Sequence, residues 1–193
     1  MWIDFAQASR ENNVKKIKTL FVRDAANPSI VTREYGVTPD PSWEPTRKRD
    51  GTAIRVLGGK VYRRFDAKHG KTPPAGFVPC QDAPESDGHF PGWVPIDCPA
   101  GDKTTARVCA ELHAEALADG TYELCGPKFQ GNPERIAEHV LFRHGGEFLN
   151  APTDFDGLKA WFAEHPIEGI VFWANGAPVA KIKRRDFGLP WPA

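Results

Sequence analysis

Residues 48–65 read KRDGTAIRVLGGKVYRRF, and the second half of that string decides the fold class. The runs 52–57 and 60–65 are rich in strand-forming residues and are separated by Gly58-Gly59. That is the spacing and composition of a two-residue hairpin turn. On the C-terminal side, residues 66–101 are polar and dense in proline and glycine, which reads as a long loop with a lid or substrate-facing role. A helix follows over 104–119, with Val108, Leu112 and Ala116 at i+4 steps, Asp102 and Thr104 as candidate caps and Gly120 past its end. Strands are expected at 121–125, ending in Gly126-Pro127, and at 138–143, ending in His144-Gly145-Gly146. A second helix runs over 154–164, burying Phe155, Leu158 and Trp161 or Phe162, and Pro166 stops it. Strands 168–173 and 178–183 are joined by Asn175-Gly176. On the N-terminal side, 27–45 reads as loop and 14–24 as either a strand or a short amphipathic segment. Many short strands with two helices and hairpin turns make an α+β protein with mainly antiparallel sheets.

Composition narrows the function. The 193 residues are about 1.3 times a roughly 150-residue domain, which excludes two large domains and predicts a single one over 1–193. Lys+Arg 25 balances Asp+Glu 25, so a nucleic-acid or phosphate partner must be held by a local basic cluster. No apolar run approaches 18 residues, so no membrane partner is expected. The opening MWIDFAQASRENN lacks the basic and apolar regions of an export signal, which predicts a cytoplasmic protein. Cys80, Cys98, Cys109 and Cys125 form no CxxC pair and read as free thiols, not a zinc site. His69, His89, His113, His139 and His165 lack metal-ligand spacing, and no Ser-His-Asp or Cys-His arrangement is legible.

Four strings carry the chemistry. Lys48-Arg49-Asp50-Gly51 is a charged turn entering a strand, and Tyr122-Glu123-Leu124-Cys125-Gly126 is a strand with one acid. In Glu168-Gly169-Ile170-Val171-Phe172 the period of two sets Glu168 on a face with Ile170 and Phe172. In Ala180-Lys181-Ile182-Lys183 the two lysines share one side of a strand, with Ala180 and Ile182 behind, and repel each other unless an anion sits between them. An edge strand guarded by lysines is the plainer reading of that last string.

In this order, K-x-D-G, E-x-x-G, E-G-I-V-F and K-x-K, the chain resembles the covalent nucleotidyltransferases, the superfamily of ATP-dependent ligases and RNA-capping enzymes. The wording TRKRDGTAIRV, TYELCGPKFQGNPE, IEGIVFW and AKIKRRDFGLPWP looks most like its compact 5'-to-3' RNA ligases, and the likeness runs over roughly 14–193. The resemblance implies one nucleotidyltransferase domain with sheets around an ATP pocket, and joining of RNA 5'-phosphate and 3'-hydroxyl ends. Lys48 matches the nucleophile that takes AMP covalently from ATP. A lysine near its reference pKa of about 10.4 is no nucleophile at pH 7, and crowding by Lys181, Lys183 and a metal would lower it. Asp50 matches the acid beside that lysine, and Gly51 lets the backbone turn close to the nucleotide. Glu123 matches the ribose acceptor, and Glu168 the carboxylate that supports Mg or Mn. Lys181 and Lys183 would hold the α-phosphate and offset charge in the transition state. Of Arg63 and Arg64 one faces the pocket, and Arg64 is preferred; Phe142 or His144 stacks on adenine.

Relatives in this superfamily often append an OB-fold, and none is expected after Lys183 here, so RNA would be gripped by other means; a monomer is expected. The 66–101 segment and the tail Lys183-Arg184-Arg185 with Phe187, Trp191 and Pro192 could supply basic and stacking contacts, or the tail could pack on the core. Two rivals remain: a nucleotide- or RNA-binding module that has lost joining, and an adenylyltransferase acting on DNA ends or another acceptor.

Overall fold

The computed structural model describes residues 16–68, 72–99 and 101–192, which fold as two compact units. The opening thirteen residues, the start of the 14–24 segment and His69 lie outside the described residues. In chain order come β1 (Phe21–Arg23), β2 (Val31–Tyr35) and β3 (Glu44–Lys48), then β4 (Thr52–Leu57), β5 (Lys60–Lys68), β6 (Val78–Pro79) and β7 (His89–Pro95). Helix α1 (Lys103–Glu111), β8 (Gly120–Cys125), β9 (Val140–Arg143), helix α2 (Phe155–Glu164), β10 (Gly169–Ala174) and β11 (Ala177–Lys183) complete the series. The protein is α+β, and all its sheet pairings between these strands are antiparallel. No helix among the described residues is long and apolar enough to cross a membrane.

One unit holds Gly51–Gln130 and Ile136–Arg143. Its six-stranded sheet runs β6-β7-β5-β4-β8-β9. The hairpin at its centre turns through Gly58 and Gly59, whose φ angles of 56° and 71° are open to glycine at no steric cost. Ile54, Val56, Tyr122 and Leu124 bury one face of this sheet against Val108 and Cys109 of α1. Asp102 caps α1, accepting from the Thr104 backbone N–H at 2.9 Å and the Thr105 hydroxyl at 2.6 Å.

The other unit holds Ile17–Asp50, Gly131–Arg135 and His144 onward. Its three-stranded sheet runs β11-β10-β3, and β1-β2 form a separate ribbon. Asp154 caps α2 by accepting from Gly157 N–H at 2.8 Å. Leu158 and Phe162, one turn apart, then pack on Ile170, Phe172 and Ile182. Asn175 and Gly176 take φ of 52° and 74° and close the β10-β11 hairpin as their sequence predicts.

Three expectations are corrected. The 66–101 segment is not all loop, since β7 pairs with β5 from Tyr62↔Pro95 to Lys68↔His89 and fully buries Trp93 and Val94. The 27–45 segment holds β2 and the start of β3. Helix α1 ends at Glu111 rather than near 119, because His113 adopts the left-handed conformation (φ 50°) and turns Ala114 into the core.

Candidate functional site

Within the three-stranded sheet, Gly169 of β10 lies in register between Lys48 of β3 and Lys183 of β11. Opposed residues in an antiparallel pair share a face, so both lysines flank a position with no side chain. A Cβ on Gly169 would sit 2.5 Å from the Ile182 carbonyl oxygen, so the tight pairing itself demands glycine. Glu168 fills the gap. Its Oε2 accepts from Lys48 Nζ at 2.6 Å, its Oε1 lies 2.7 Å from Lys183 Nζ, and its side chain is only 3% exposed. The expectation that Glu168 shares a face with Ile170 and Phe172 is therefore corrected. Strand β10 begins at Gly169, so alternation does not reach residue 168, while Ile170 and Phe172 enter the core.

Lys181 pairs with Val171, two residues along β11 from Lys183, and so lies on the lysine face as alternation predicts, with Ala180 and Ile182 buried behind. Its backbone is pinned on the outer side as well, donating to the Lys18 carbonyl and accepting from Leu20 N–H at 2.9 and 2.8 Å. Burial, and then the charges of Lys183 and Lys48, lower its pKa to about 8.

Lys48 is also held from its flanks. Arg47 and Arg49 share Glu134 and Glu147: Arg47 lies 2.9 and 3.2 Å from them, and Arg49 lies 2.7 Å from Glu147 and in direct contact with Glu134. Glu134 is 5% exposed. Asp50 accepts from the Trp191 indole N–H at 3.0 Å. The tail packs on its own unit: Arg184 and Phe187 are buried, and Arg184 donates to the carbonyls of Phe162 and Pro190. Arg47, Arg49, Glu134 and Glu147 were not among the expected site residues, and only the Arg-Lys-Arg alternation around Lys48 hinted at the two arginines.

The remaining expected residues, His144 apart, lie in the six-stranded unit. Glu123 Oε1 accepts from the Gly51 backbone N–H at 3.0 Å. Gly51 approaches β8 so closely that a Cβ there would collide with the Leu124 backbone and come within 2.8 Å of Cys125 Sγ. The pairs Trp93↔Arg64, Ala53↔Glu123 and Glu123↔Phe142, with the register Ile54↔Arg63, set Trp93, Arg64, Ala53, Glu123 and Phe142 in one row on one face. Arg63 faces the opposite side with Ile54. Strand β9 stops at Arg143, so His144 falls in the following turn and in the other unit, where alternation no longer governs it.

No group of three or more His, Cys, Asp or Glu gathers among the described residues as a metal cage. Glu168 beside the lysine row fits a hard cation that takes one or two carboxylates and fills its sphere with phosphate and water. None of the four cysteines is in a disulfide, and Cys80, Cys109 and Cys125 are buried.

The sequence profile of the family described as RNA ligase 1 matches residues 99–193. RNA ligase 1 of Danio rerio is 29% identical over 142 residues, 56% of this chain and 44% of its own length. RNA ligase 1 of Pongo abelii is 29% identical over 147 residues, with the same two shares. The chain thus spans less than half the length of these relatives. The stretch that matches the family, just under half of the chain, takes in Glu123, Glu168, Lys181 and Lys183, and over it the chain is similar to RNA ligases.

Proposed function

We propose that this chain catalyses ATP-dependent joining of RNA ends through a lysyl-AMP intermediate, on a ligase-type nucleotidyltransferase fold. The observation that carries the reading is the lysine row, where Lys48 and Lys183 flank Gly169 and share the buried carboxylate of Glu168. In the first step Nζ of Lys48, after losing its ammonium proton, attacks the α-phosphorus of ATP. The N–P bond forms, the bond to the β-phosphate oxygen breaks, and pyrophosphate leaves. AMP then passes to an RNA 5'-phosphate, which displaces Lys48 and creates a phosphoanhydride. A 3'-hydroxyl attacks that 5'-phosphorus, loses its proton and expels AMP.

Lys181 and Lys183 hold the α-phosphate and offset the charge that builds on its oxygens. Glu168 orients Lys48 and is the residue that would hold Mg or Mn. A bound divalent ion would supply Lewis-acid neutralisation of the phosphates. Glu123 accepts from a ribose hydroxyl, Asp50 and Gly51 shape the turn after the nucleophile, Arg64 meets phosphate, and Phe142 stacks on adenine, with His144 as the other candidate ring.

The test is the intact mass of the purified protein, stripped with pyrophosphate and then incubated with ATP and Mg, beside Lys48→Ala. Wild type should gain one AMP, lose it on addition of 5'-phosphorylated RNA and yield joined product, and the variant should gain none. An unmodified wild type, or an adduct on Lys48→Ala, would overturn the reading.

A further inference from the structure

In the segment between β8 and β9, Lys128, Gln130, Asn132 and Arg135 take φ of 76°, 47°, 50° and 53°. So many side chains in the left-handed region over so short a stretch concentrate strain, and strain of this kind persists where other contacts over-determine the backbone. The Arg135 N–H donates to the Asn132 carbonyl at 3.0 Å and closes a turn around Glu134. That carboxylate is 5% exposed. Its Oε2 accepts from Arg47 Nη2 at 2.9 Å and is in direct contact with Arg49 Nη1, while its Oε1 is buried with no hydrogen bond among the described residues. Glu134, Glu147 and both arginines belong to the unit that carries the lysine row.

Stability alone does not select these features. A buried ion pair about breaks even against apolar side chains of the same volume, and an unsatisfied carboxylate oxygen adds a cost. Nor does burial of a guanidinium demand a carboxylate in this chain. Arg55 of β4, on the face of Arg64 and Glu123, is 3% exposed, and its Nε and Nη2 are buried without a partner. What distinguishes Arg47 and Arg49 is their place on either side of Lys48. Alternation turns Arg47 to the face opposite Lys48, with Ile170 as its register partner, and Arg49 meets the same two glutamates as Arg47. Gripping both arginines behind the strand fixes the rotation of its end, and with it the direction in which Lys48 leaves the sheet. Glu147 is 43% exposed, so solvent weakens its hold and the buried Glu134 is the firmer anchor.

We propose that Glu134 is a positioning residue for the nucleophile, and that through Arg47 and Arg49 it aims Lys48 Nζ at the α-phosphorus of ATP. The proposal rests on the lysyl-AMP reading. It confines the effect to the steps in which the N–P bond of Lys48 forms, as pyrophosphate leaves, or breaks, as AMP passes to RNA. The sealing step, in which a 3'-hydroxyl expels AMP from the RNA 5' end, makes no bond to Lys48 and lies outside it.

The test follows single-turnover formation of lysyl-AMP by mass on the full chain, with Mg and a range of ATP concentrations, for wild type, Glu134→Gln and Glu134→Asp. Glu134→Gln should lower the rate at saturating ATP by about tenfold or more, because a misaimed nucleophile loses near-attack geometry. Its half-saturating ATP should stay within about twofold of wild type, and its sealing of a pre-adenylated RNA should fall by no more than about threefold. Glu134→Asp keeps the charge on a shorter arm and should recover part of the rate; it carries the test if Glu134→Gln does not fold. Equal losses in adenylylation and sealing would make Glu134 a structural residue only and overturn the proposal. So would an unchanged adenylylation rate in a folded variant, or a raised half-saturating ATP with an unchanged maximal rate. Any of these with an adduct on wild type sinks the positioning role alone, whereas a wild type that forms no adduct sinks the joining mechanism and the positioning role with it.

Discussion

The lysine row of one unit and the arginine face of the other are both cationic, and they are closed in opposite ways. Lys48 and Lys183 meet one carboxylate buried to 3% exposure, and Arg47 and Arg49 beside them share two more. Arg55, equally buried, meets none. A paired buried charge fixes position, because removing either partner strands the other. An unpaired one fixes no contact within the protein.

The largest way to break the comparison is Glu168→Ala. It removes the acceptor shared by Lys48 and Lys183 and leaves the charge of Lys181 beside them. Breaking a buried pair from one side costs about 3 kcal/mol. Urea denaturation should show that loss, together with the disappearance of the lysyl-AMP adduct. A change below about 1 kcal/mol, the size expected of an exposed pair, would mean that Glu168 does not organise the row.

Lys181 sharpens the contrast through pH. Its folded-state pKa of about 8 lies below the ordinary 10.5 because burial, Lys183 and Lys48 disfavour the charged form. Between these values the unfolded chain binds more protons, so this group makes stability rise as pH goes from about 8 to about 10.5. Allowing for its partial exposure, the rise is roughly 1–2 kcal/mol. Lys181→Met lacks the group, so wild-type stability minus variant stability, followed by urea denaturation at pH 7.5, 9 and 10, should climb. A flat difference would place Lys181 in ordinary solvent.

What the sequence made legible is local. The Gly58-Gly59 and Asn175-Gly176 turns and the Asp102 cap each depend on a few adjacent residues, and each forms where its chemistry predicts. Strand β7 was hidden because Pro91, Gly92 and Pro95 read as loop, while its pairing is supplied by β5, more than twenty residues earlier. Gly92 is there because the Phe77 ring occupies the space a Cβ would take. At the site, alternation set Lys181 beside Lys183, but it misplaced Glu168, which stands one residue before β10. Arg55 gave no signal at all. A cation between Ile54 and Val56 reads as the wet side of a strand, and only the sheet shows that this side is covered.

The smallest expected effect lies at the tail. The indole N–H of Trp191 donates to Asp50 Oδ2 at 3.0 Å, two residues from the lysine row. Trp191→Phe keeps an aromatic ring and deletes only that donor, so a charge-assisted hydrogen bond of about 1–2 kcal/mol is lost. If the tail serves by holding Asp50, stability should fall by about that amount and lysyl-AMP should form severalfold more slowly, while affinity for 5'-hydroxyl RNA stays within twofold. If the ring instead stacks on a base, the smaller aromatic surface should weaken RNA binding and leave adduct formation alone, because Asp50 would then owe its position to the backbone turn at Gly51.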